Sequence, residues 1–285
     1  MYNVVIFSKD RPSQLDACIR SFFVFCKEAD LARMCVLYTS SNEEYERGYN
    51  LCKQKNSNSN IEWQSQRHSM SFKKDLLNLL KGKETNPLTI FLVDDILFKD
   101  YWSFEDEEIK SIEGNVHLLC CSLRLYEGIT ECYATNTPSA PPVFVKDNVW
   151  SWYGAQGDWG YPYSLDGNVY RTADMLRKLQ NAEYANPNQL EAVLNINNMS
   201  RVGLGSADRP LYMKCYIKNS KLINIPANRV QDEFRNRVGD IMSPQEMNRK
   251  FLSGEQISLD TVKELVSHTV HAEIPVVWEE QKGSV

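Results

Sequence analysis

VVIFSKDRPSQLDACIRSF, Val4–Phe22, opens the chain with a short apolar run, a polar turn and an amphipathic stretch. Val4 to Ser8 predicts a buried strand, and from Pro12 onward Leu15, Ile19, Phe22, Phe23 and Cys26 fall at helical spacing. The alternation recurs. Met34 to Thr39 predicts a second strand, Glu43 to Cys52 a helix and Ile61 to Gln64 a third strand, with the polar stretch from Lys53 to Asn60 as surface loop. A helix beginning near Ser71 carries Leu76, Leu77, Leu79 and Leu80, and the apolar run Leu88 to Val93 suits a central strand covered on both faces. Strands alternating with helices predict an α/β fold whose central sheet is mostly parallel and flanked by helices.

Beyond a strand at Val116 to Ser122 the character changes to a long irregular region, Tyr126 to Ser164, rich in proline and aromatic residues. Loops of such length in a compact domain are functional or poorly ordered. Asn168 to Arg171 predicts a returning strand, Thr172 to Gln180 a helix, and Asn188 to Leu194 a shorter helix after Pro187, with Lys221 to Ile225 closing the main domain. In the tail, Ser243 reads as an N-cap, Pro244 as the first helical residue and Gly254 as the position after the helix end.

With 285 residues, 42% hydrophobic and 24% charged, the chain has the balance of an ordinary globular protein and excludes disorder, collagen and fibrous coiled coil. Its 32 basic and 37 acidic residues give a net charge of -5, which leaves no global basic field for a nucleic-acid partner. Eight cysteines without a Cys-x-x-Cys pair read as small buried hydrophobes in a reducing compartment. The early apolar run Val4 to Phe7 reads as a short buried strand rather than the h-region of a signal peptide, and no apolar stretch approaches the ~18 residues of a membrane span. A cytoplasmic location is expected, with any membrane contact peripheral.

Three stretches and two single residues carry candidate chemistry. In TIFLVDDILF, Thr89–Phe98, two carboxylates end an apolar strand, where ligands of open α/β sheets collect. Hard carboxylate oxygens there suit Mg or Mn bridged to phosphates, although an acidic pair at a strand end also serves as a cap or solvated turn. FSKDRPSQL, Phe7–Leu15, puts Lys9 and Arg11 near a helix N-terminus that can meet a nucleotide, or else Asp10, Arg11 and Pro12 simply start the helix. It holds no glycine, unlike the Rossmann and Walker loops. WSWYGAQGDWGYPY, Trp150–Tyr163, packs three Trp, three Tyr and three Gly into 14 residues, either as sugar-stacking faces or as a satellite core beneath a long loop. Glu191, early in a short helix, and His271 near the C-terminus are each open to an incidental reading.

As an ordered set these residues resemble a GT-A fold nucleotide-sugar glycosyltransferase of the bacterial surface-polysaccharide type. The opening strand-turn-helix looks like that family's nucleotide-binding unit, FLVDDILF like its DXD region, and GDWGYPYSLDGNVYRTADML, Gly157–Leu176, like its acceptor-side loop with the strand and helix that follow. The acid pair is Val93-Asp94-Asp95 rather than Asp-x-Asp, so Asp95 matches the last, metal-binding acid. The resemblance implies an inverting transfer from a nucleoside diphosphate sugar to a glycan or lipid-linked saccharide, with Mn or Mg on Asp95 and His271. Ser8, Asp10, Arg11 and Asp94 would line the nucleotide pocket, Glu191 would be the general base with Asp166 and Asp158 as rivals, and Trp152, Trp159, Tyr163 and Asp166 would shape the acceptor side.

The same likeness implies one GT-A domain over residues 1–230, with a nucleotide-binding half to about residue 122 and an acceptor-binding half from 123, and a short helical extension over 231–285. Three other classes remain open: a sugar nucleotidyltransferase, whose Gly-rich basic loop this chain lacks, a carbohydrate-binding scaffold on a degenerate transferase domain, and a metal-dependent phosphohydrolase.

Overall fold

A computed structural model describes residues 1–57, 60–66, 71–199, 213–230, 237, 239, 241–263 and 265–281. In chain order the first half runs β1 (Tyr2–Lys9), α1 (Pro12–Phe25), β2 (Ala32–Thr39), α2 (Glu43–Lys55), β3 (Ile61–Ser65), α3 (Phe72–Leu80), β4 (Leu88–Val93), β5 (Ile96–Phe98), α4 (Glu107–Gly114) and β6 (Leu118–Ser122). Then follow β7 (Glu131–Cys132), β8 (Thr137–Pro138), β9 (Phe144–Lys146), β10 (Val149–Ser151), β11 (Asn168–Arg171), α5 (Thr172–Asn181), α6 (Pro187–Met199), β12 (Met213–Tyr216) and β13 (Leu222–Asn224). The tail adds α7 (Pro244–Leu252), β14 (Glu255–Ile257) and β15 (Trp278–Glu280).

Nine strands form one sheet in the order β3-β2-β1-β4-β11-β6-β12-β10-β9. β3, β2, β1 and β4 are mutually parallel, as are β6 and β12, which is the α/β class and mostly parallel sheet that the sequence predicts. Apolar runs fill both faces by alternation: Val4, Ile6, Ile90 and Leu92 belong to one core, and Val5, Phe7 and Phe91 to the other. Helix α1 covers the first face with Leu15, Ile19 and Phe22, while α3 covers the second with Leu76, Leu79 and Leu80.

The returning strand decides where the site lies. β11 pairs antiparallel with both neighbours, Asn168 standing opposite Phe91 of β4 and Ser122 of β6. Its first residue therefore lies at the carboxyl ends of two parallel strands, and the residues just before it arrive where Asp94 and Asp95 leave β4.

The region from Tyr126 to Ser164 is more regular than expected. β9 and β10 continue the main sheet through β12, and β7 pairs with β8. Helix α6 also runs longer than the Asn188 to Leu194 expected, and the tail combines one helix with the two-stranded pair β14-β15. α7 begins as read from sequence: the Ser243 hydroxyl accepts the Glu246 N–H and the Glu246 carboxylate accepts the Ser243 N–H, a capping box behind Pro244. It packs on α1 and α2. The expected domain boundary after residue 230 abuts residues 231–236, which lie outside the described residues.

Gly167 joins the loop to β11 at φ +75°, and a Cβ there would come within 2.7 Å of Leu222 Cδ2. Its N–H donates to Phe91 O at 2.8 Å and its carbonyl accepts from Leu123 N–H at 3.0 Å, so the backbone has no freedom to retreat. Gly167→Ala is expected to lower unfolding free energy by about 1–3 kcal/mol; an unchanged urea midpoint would show that Leu222 makes way.

Candidate functional site

A cleft of about 580 Å³ opens at the carboxyl ends of β4 and β6 and the start of β11. Arg11, Asp95, Arg124, Asp158, Asp166, Glu191, Asn224 and His271 all line it. Three buried polar atoms in it, Arg124 Nε, Asp158 Oδ2 and His271 Nδ1, have no hydrogen-bond partner among the described residues. Such orphans are costly within a fold and point to a site.

One wall of the cleft is built on the β4-β5 turn. Asp94, 3% exposed, turns back on the first turn of the chain: Oδ2 accepts the Lys9 N–H at 3.2 Å and Oδ1 pairs with Arg11 Nη1 at 3.0 Å. Burial pushes its pKa up to about 6, against the pull of Arg11 and with Asp95 adding to the rise. Arg11 also stands 3.7 Å from Asp95 Oδ2, and it donates from Nε to Asn228 Oδ1 at 2.8 Å and from Nη2 to Asn228 O. Asp95 faces the cleft, where its Oδ1 accepts from Asn224 Nδ2 at 2.9 Å.

Of the nucleotide-pocket candidates only Arg11 lines the cleft. Ser8 is hydrogen-bonded to the Tyr49 hydroxyl at 2.7 Å, and Asp10, at φ +54°, accepts the Ser41 N–H at 2.7 Å. Both are buried, and they tie the β1-α1 turn to α2 and to the turn before it.

The opposite wall holds the other acids. Glu191 Oε1 accepts the Leu165 N–H at 3.0 Å, and burial with Asp166 nearby pushes its pKa up to about 8. Asp166 Oδ2 accepts from Arg124 Nη1 at 3.2 Å; burial raises its pKa to about 6, with Arg124 opposing and Asp95 and Asp158 reinforcing the rise. Asp158 is raised too, by burial, with Arg124 and Lys214 opposing. Arg124 also donates to Asn224 Oδ1 at 3.1 Å and Ser164 Oγ at 2.9 Å. Carboxyls whose pKa values lie near neutrality can move protons at neutral pH.

Trp152, Trp159 and Tyr163 are core residues, none more than 2% exposed. Trp159 Nε1 donates to Ile129 O at 3.1 Å, Trp150 Nε1 donates to Trp159 O at 3.0 Å, and Tyr163 stacks on Tyr170 at 5.9 Å. They shape the loop from beneath and offer no open ring face. Tyr161, 39% exposed, is the aromatic of that loop that lines the cleft, its carbonyl accepting from the buried Lys214 Nζ at 3.0 Å.

Arg124, Asn224 and Asn228 have no motif that singles them out in the sequence, and Tyr161 is one of three tyrosines in the aromatic stretch. Arg124 had a usable signal, since it lies just past the carboxyl end of β6 and the rule that drew attention to Asp94 and Asp95 applies to it equally.

Among the described residues no group of three His, Cys, Asp or Glu gathers as a metal-ligand set. Two potential donors, Asp95 and His271, line the cleft and each is tied to Asn224: its backbone pairs with His271 and its amide donates to Asp95. The His271 imidazole stacks on Tyr133 at 4.8 Å, and its pKa is pushed down to about 3 by burial, with Arg124 adding to the fall. His271, whose buried Nδ1 has no partner among the described residues, and Asp95 line the same cleft, and imidazole and carboxylate are both donor types that a divalent cation accepts.

No family model matches the chain. The bifunctional glycosyltransferase pgtA of Dictyostelium discoideum is 23% identical over 302 residues, covering 92% of this chain and 36% of that protein. The chain thus spans about a third of the length of the curated relative it matches. Among solved structures, S. aureus TarS 1–349 in complex with UDP gives a TM-score of 0.43 at 12% identity, covering 76% of this chain and 61% of that one. The mannosyltransferase PcManGT from Pyrobaculum calidifontis, in complex with GDP-Man and Mn2+, gives 0.41 at 8% identity over 76% of this chain and 56% of its own. A cytidylyltransferase from Leptospira borgpetersenii gives 0.42 at 10% identity over 77% and 76%. At these TM-scores the likenesses are remote, and the fold rests on the strand order of the chain itself. Over 92% of its length the chain is similar to part of a glycosyltransferase, and its central sheet is the mostly parallel, helix-flanked α/β sheet that the sequence predicts.

Proposed function

We propose that this chain transfers a sugar from a nucleoside diphosphate sugar to a hydroxyl of a glycan or lipid-linked saccharide, with inversion, in the synthesis of a surface polysaccharide or glycoconjugate. The observation that carries this reading is the pairing, across one cleft, of a donor-side wall of Arg11, Asp95 and His271 with an acceptor-side wall of Asp166 and Glu191. The likeness to a glycosyltransferase over most of the chain supports it. The sequence that follows β1 lacks the glycines a sugar nucleotidyltransferase would use around a triphosphate.

Asp95 and His271 would hold Mn or Mg, which when bound offsets negative charge on a departing diphosphate. Arg11, fixed by Asp94 and Asn228, adds a permanent positive charge to the same wall. Glu191 would take the proton of the acceptor hydroxyl as that oxygen attacks the anomeric carbon from the face opposite the leaving group. Asp166 and Tyr161 would hydrogen-bond acceptor or donor hydroxyls. We place the protein in the cytoplasm with peripheral contact at the inner face of the membrane; among the described residues no helix is long and apolar enough to cross one.

A screen of nucleoside diphosphate sugars by thermal shift is expected to find a donor that raises the melting temperature, more so with Mn than with EDTA. Silence with every donor would favour the scaffold reading, for which the Arg11-bound acid pair is the structural argument. Glu191→Gln is expected to cut kcat about 10²–10⁴-fold. Because the base must be deprotonated, kcat/KM of the wild type should climb with pH to a plateau above about 8, the pKa of Glu191, and Glu191→Gln should remove that limb.

Stability should move the other way. A carboxyl raised in the folded state binds its proton more tightly there than in the unfolded chain, so stability falls as pH rises from the unfolded value of 4.5 to about 8. Glu191→Gln lacks this loss and is expected to gain on the wild type across that window in urea unfolding at several pH values. A constant difference would mean that Glu191 is not the buried acid described.

A further inference from the structure

A hydrogen-bonded chain joins the two walls of the cleft. On the acceptor side, three consecutive residues take part: Ser164 Oγ and Asp166 Oδ2 accept from Arg124, and the Leu165 N–H donates to Glu191. Arg124 then donates to Asn224 Oδ1, and Asn224 Nδ2 donates to Asp95 Oδ1 on the donor side. We propose that Arg124 and Asn224 are positioning residues that hold Asp95 and the acceptor-side acids at a fixed separation, so that a bound donor and the base stay in register. The proposal rests on the transferase reading above.

The residue types are dictated by the chain of bonds. A guanidinium has donors and no acceptor, so only the amide oxygen of Asn224 can face it, which leaves the NH2 for the Asp95 carboxylate. Aspartate at position 224 would satisfy Arg124 and set a like charge against Asp95. Lysine at 124 would offer a point charge in place of a planar fork that serves Ser164, Asp166 and Asn224 from three directions.

A tie that served folding alone has little need of this chemistry, since a buried ion pair is often no more stable than apolar packing of the same volume. Arg124 is 7% exposed, and its buried Nε has no hydrogen-bond partner among the described residues. Its charge also works against the burial that pushes Asp158, Asp166 and Glu191 upward. The groups facing Glu191 are Asp166 and Arg124, with Tyr161 beside it, and those facing Asp166 are Arg124, Asp95 and Asp158.

The test uses the full chain carrying Arg124→Met, Arg124→Gln or Asn224→Ala, with ¹³C-labelled carboxyls. In the free protein, either Arg124 substitution is expected to raise the titration midpoints of Asp166 and Glu191 by about one pH unit or more. With a donor identified, the Arg124 variants and Asn224→Ala should each lose about a hundredfold in kcat, while the melting temperature and the donor dissociation constant move far less. Arg124→Gln keeps polar volume at the site and serves if Arg124→Met does not fold. Midpoints that stay at their wild-type values, or kcat that survives in a folded Arg124 variant, overturn the proposal. If the midpoints move as expected but the wild type transfers sugar from no donor, the transferase reading fails and the positioning network stands.

Discussion

β11 runs antiparallel between β4 and β6, and that direction governs what the cleft can contain. A parallel strand in the same slot would carry its preceding loop to the far end of the sheet, away from Asp94 and Asp95. Because β11 starts where β4 and β6 finish, Asp166, the Asp94-Asp95 turn and Arg124 converge from three distant parts of the chain without any long side-chain reach. Gly167 makes the entry possible, since its positive φ and the nearness of Leu222 leave room for no side chain.

Convergence of this kind collects charge, and the chain answers it by pairing. Asp94 and Arg11 satisfy one another at the β4-β5 wall; Asp166 and Arg124 do so at the opposite wall. In each pair the acid stays above its ordinary pKa because burial outweighs the neighbouring guanidinium. The two arginines have different surroundings. Three nitrogens of Arg11 have oxygen partners on Asp94 and Asn228, whereas Arg124 leaves Nε open and spreads its bonds over two walls. Arg11 thus fixes a turn, and Arg124 sits where a change on one wall is felt on the other.

The fold was legible where local pattern and long-range pairing agree. Val4 to Phe7 and Ile90 to Val93 are continuous apolar runs, which suit strands buried on both faces, and the cores show both faces filled. Asp95, Glu191 and His271 could be read as candidates because a resemblance gave their order, and they line one cleft. Arg124 had a positional signal just past β6, but its bonds to Asp166 and Asn224 depend on β11 lying beside β6, a pairing that no local periodicity encodes. Asn224 escaped for a plainer reason: an asparagine in a short strand has no chemical signature of its own, and its role exists only between Arg124 and Asp95.

The aromatic loop left two readings open, sugar-stacking faces or a satellite core, and the burial of Trp150, Trp152, Trp159 and Tyr163 favours the second. β9 and β10 attach to the sheet through β12 and turn the loop into a roof over a small core that includes Ile129, Trp150, Trp159, Tyr216 and Val270. Fixing a loop costs about 1–2 kcal/mol of backbone entropy per residue, which short polar side chains cannot offset. Buried indoles can, and their N–H groups are spent on loop carbonyls: Trp150 on Trp159 O and Trp159 on Ile129 O. The aromatics therefore contribute rigidity and leave recognition to the residues they carry. Asp158 lies between Gly157 and the buried Trp159 on a turn so fixed, and Tyr161 is pinned two residues further by Lys214. A polar group fixed in this way meets a substrate already oriented, and little of the binding free energy is lost to ordering the loop.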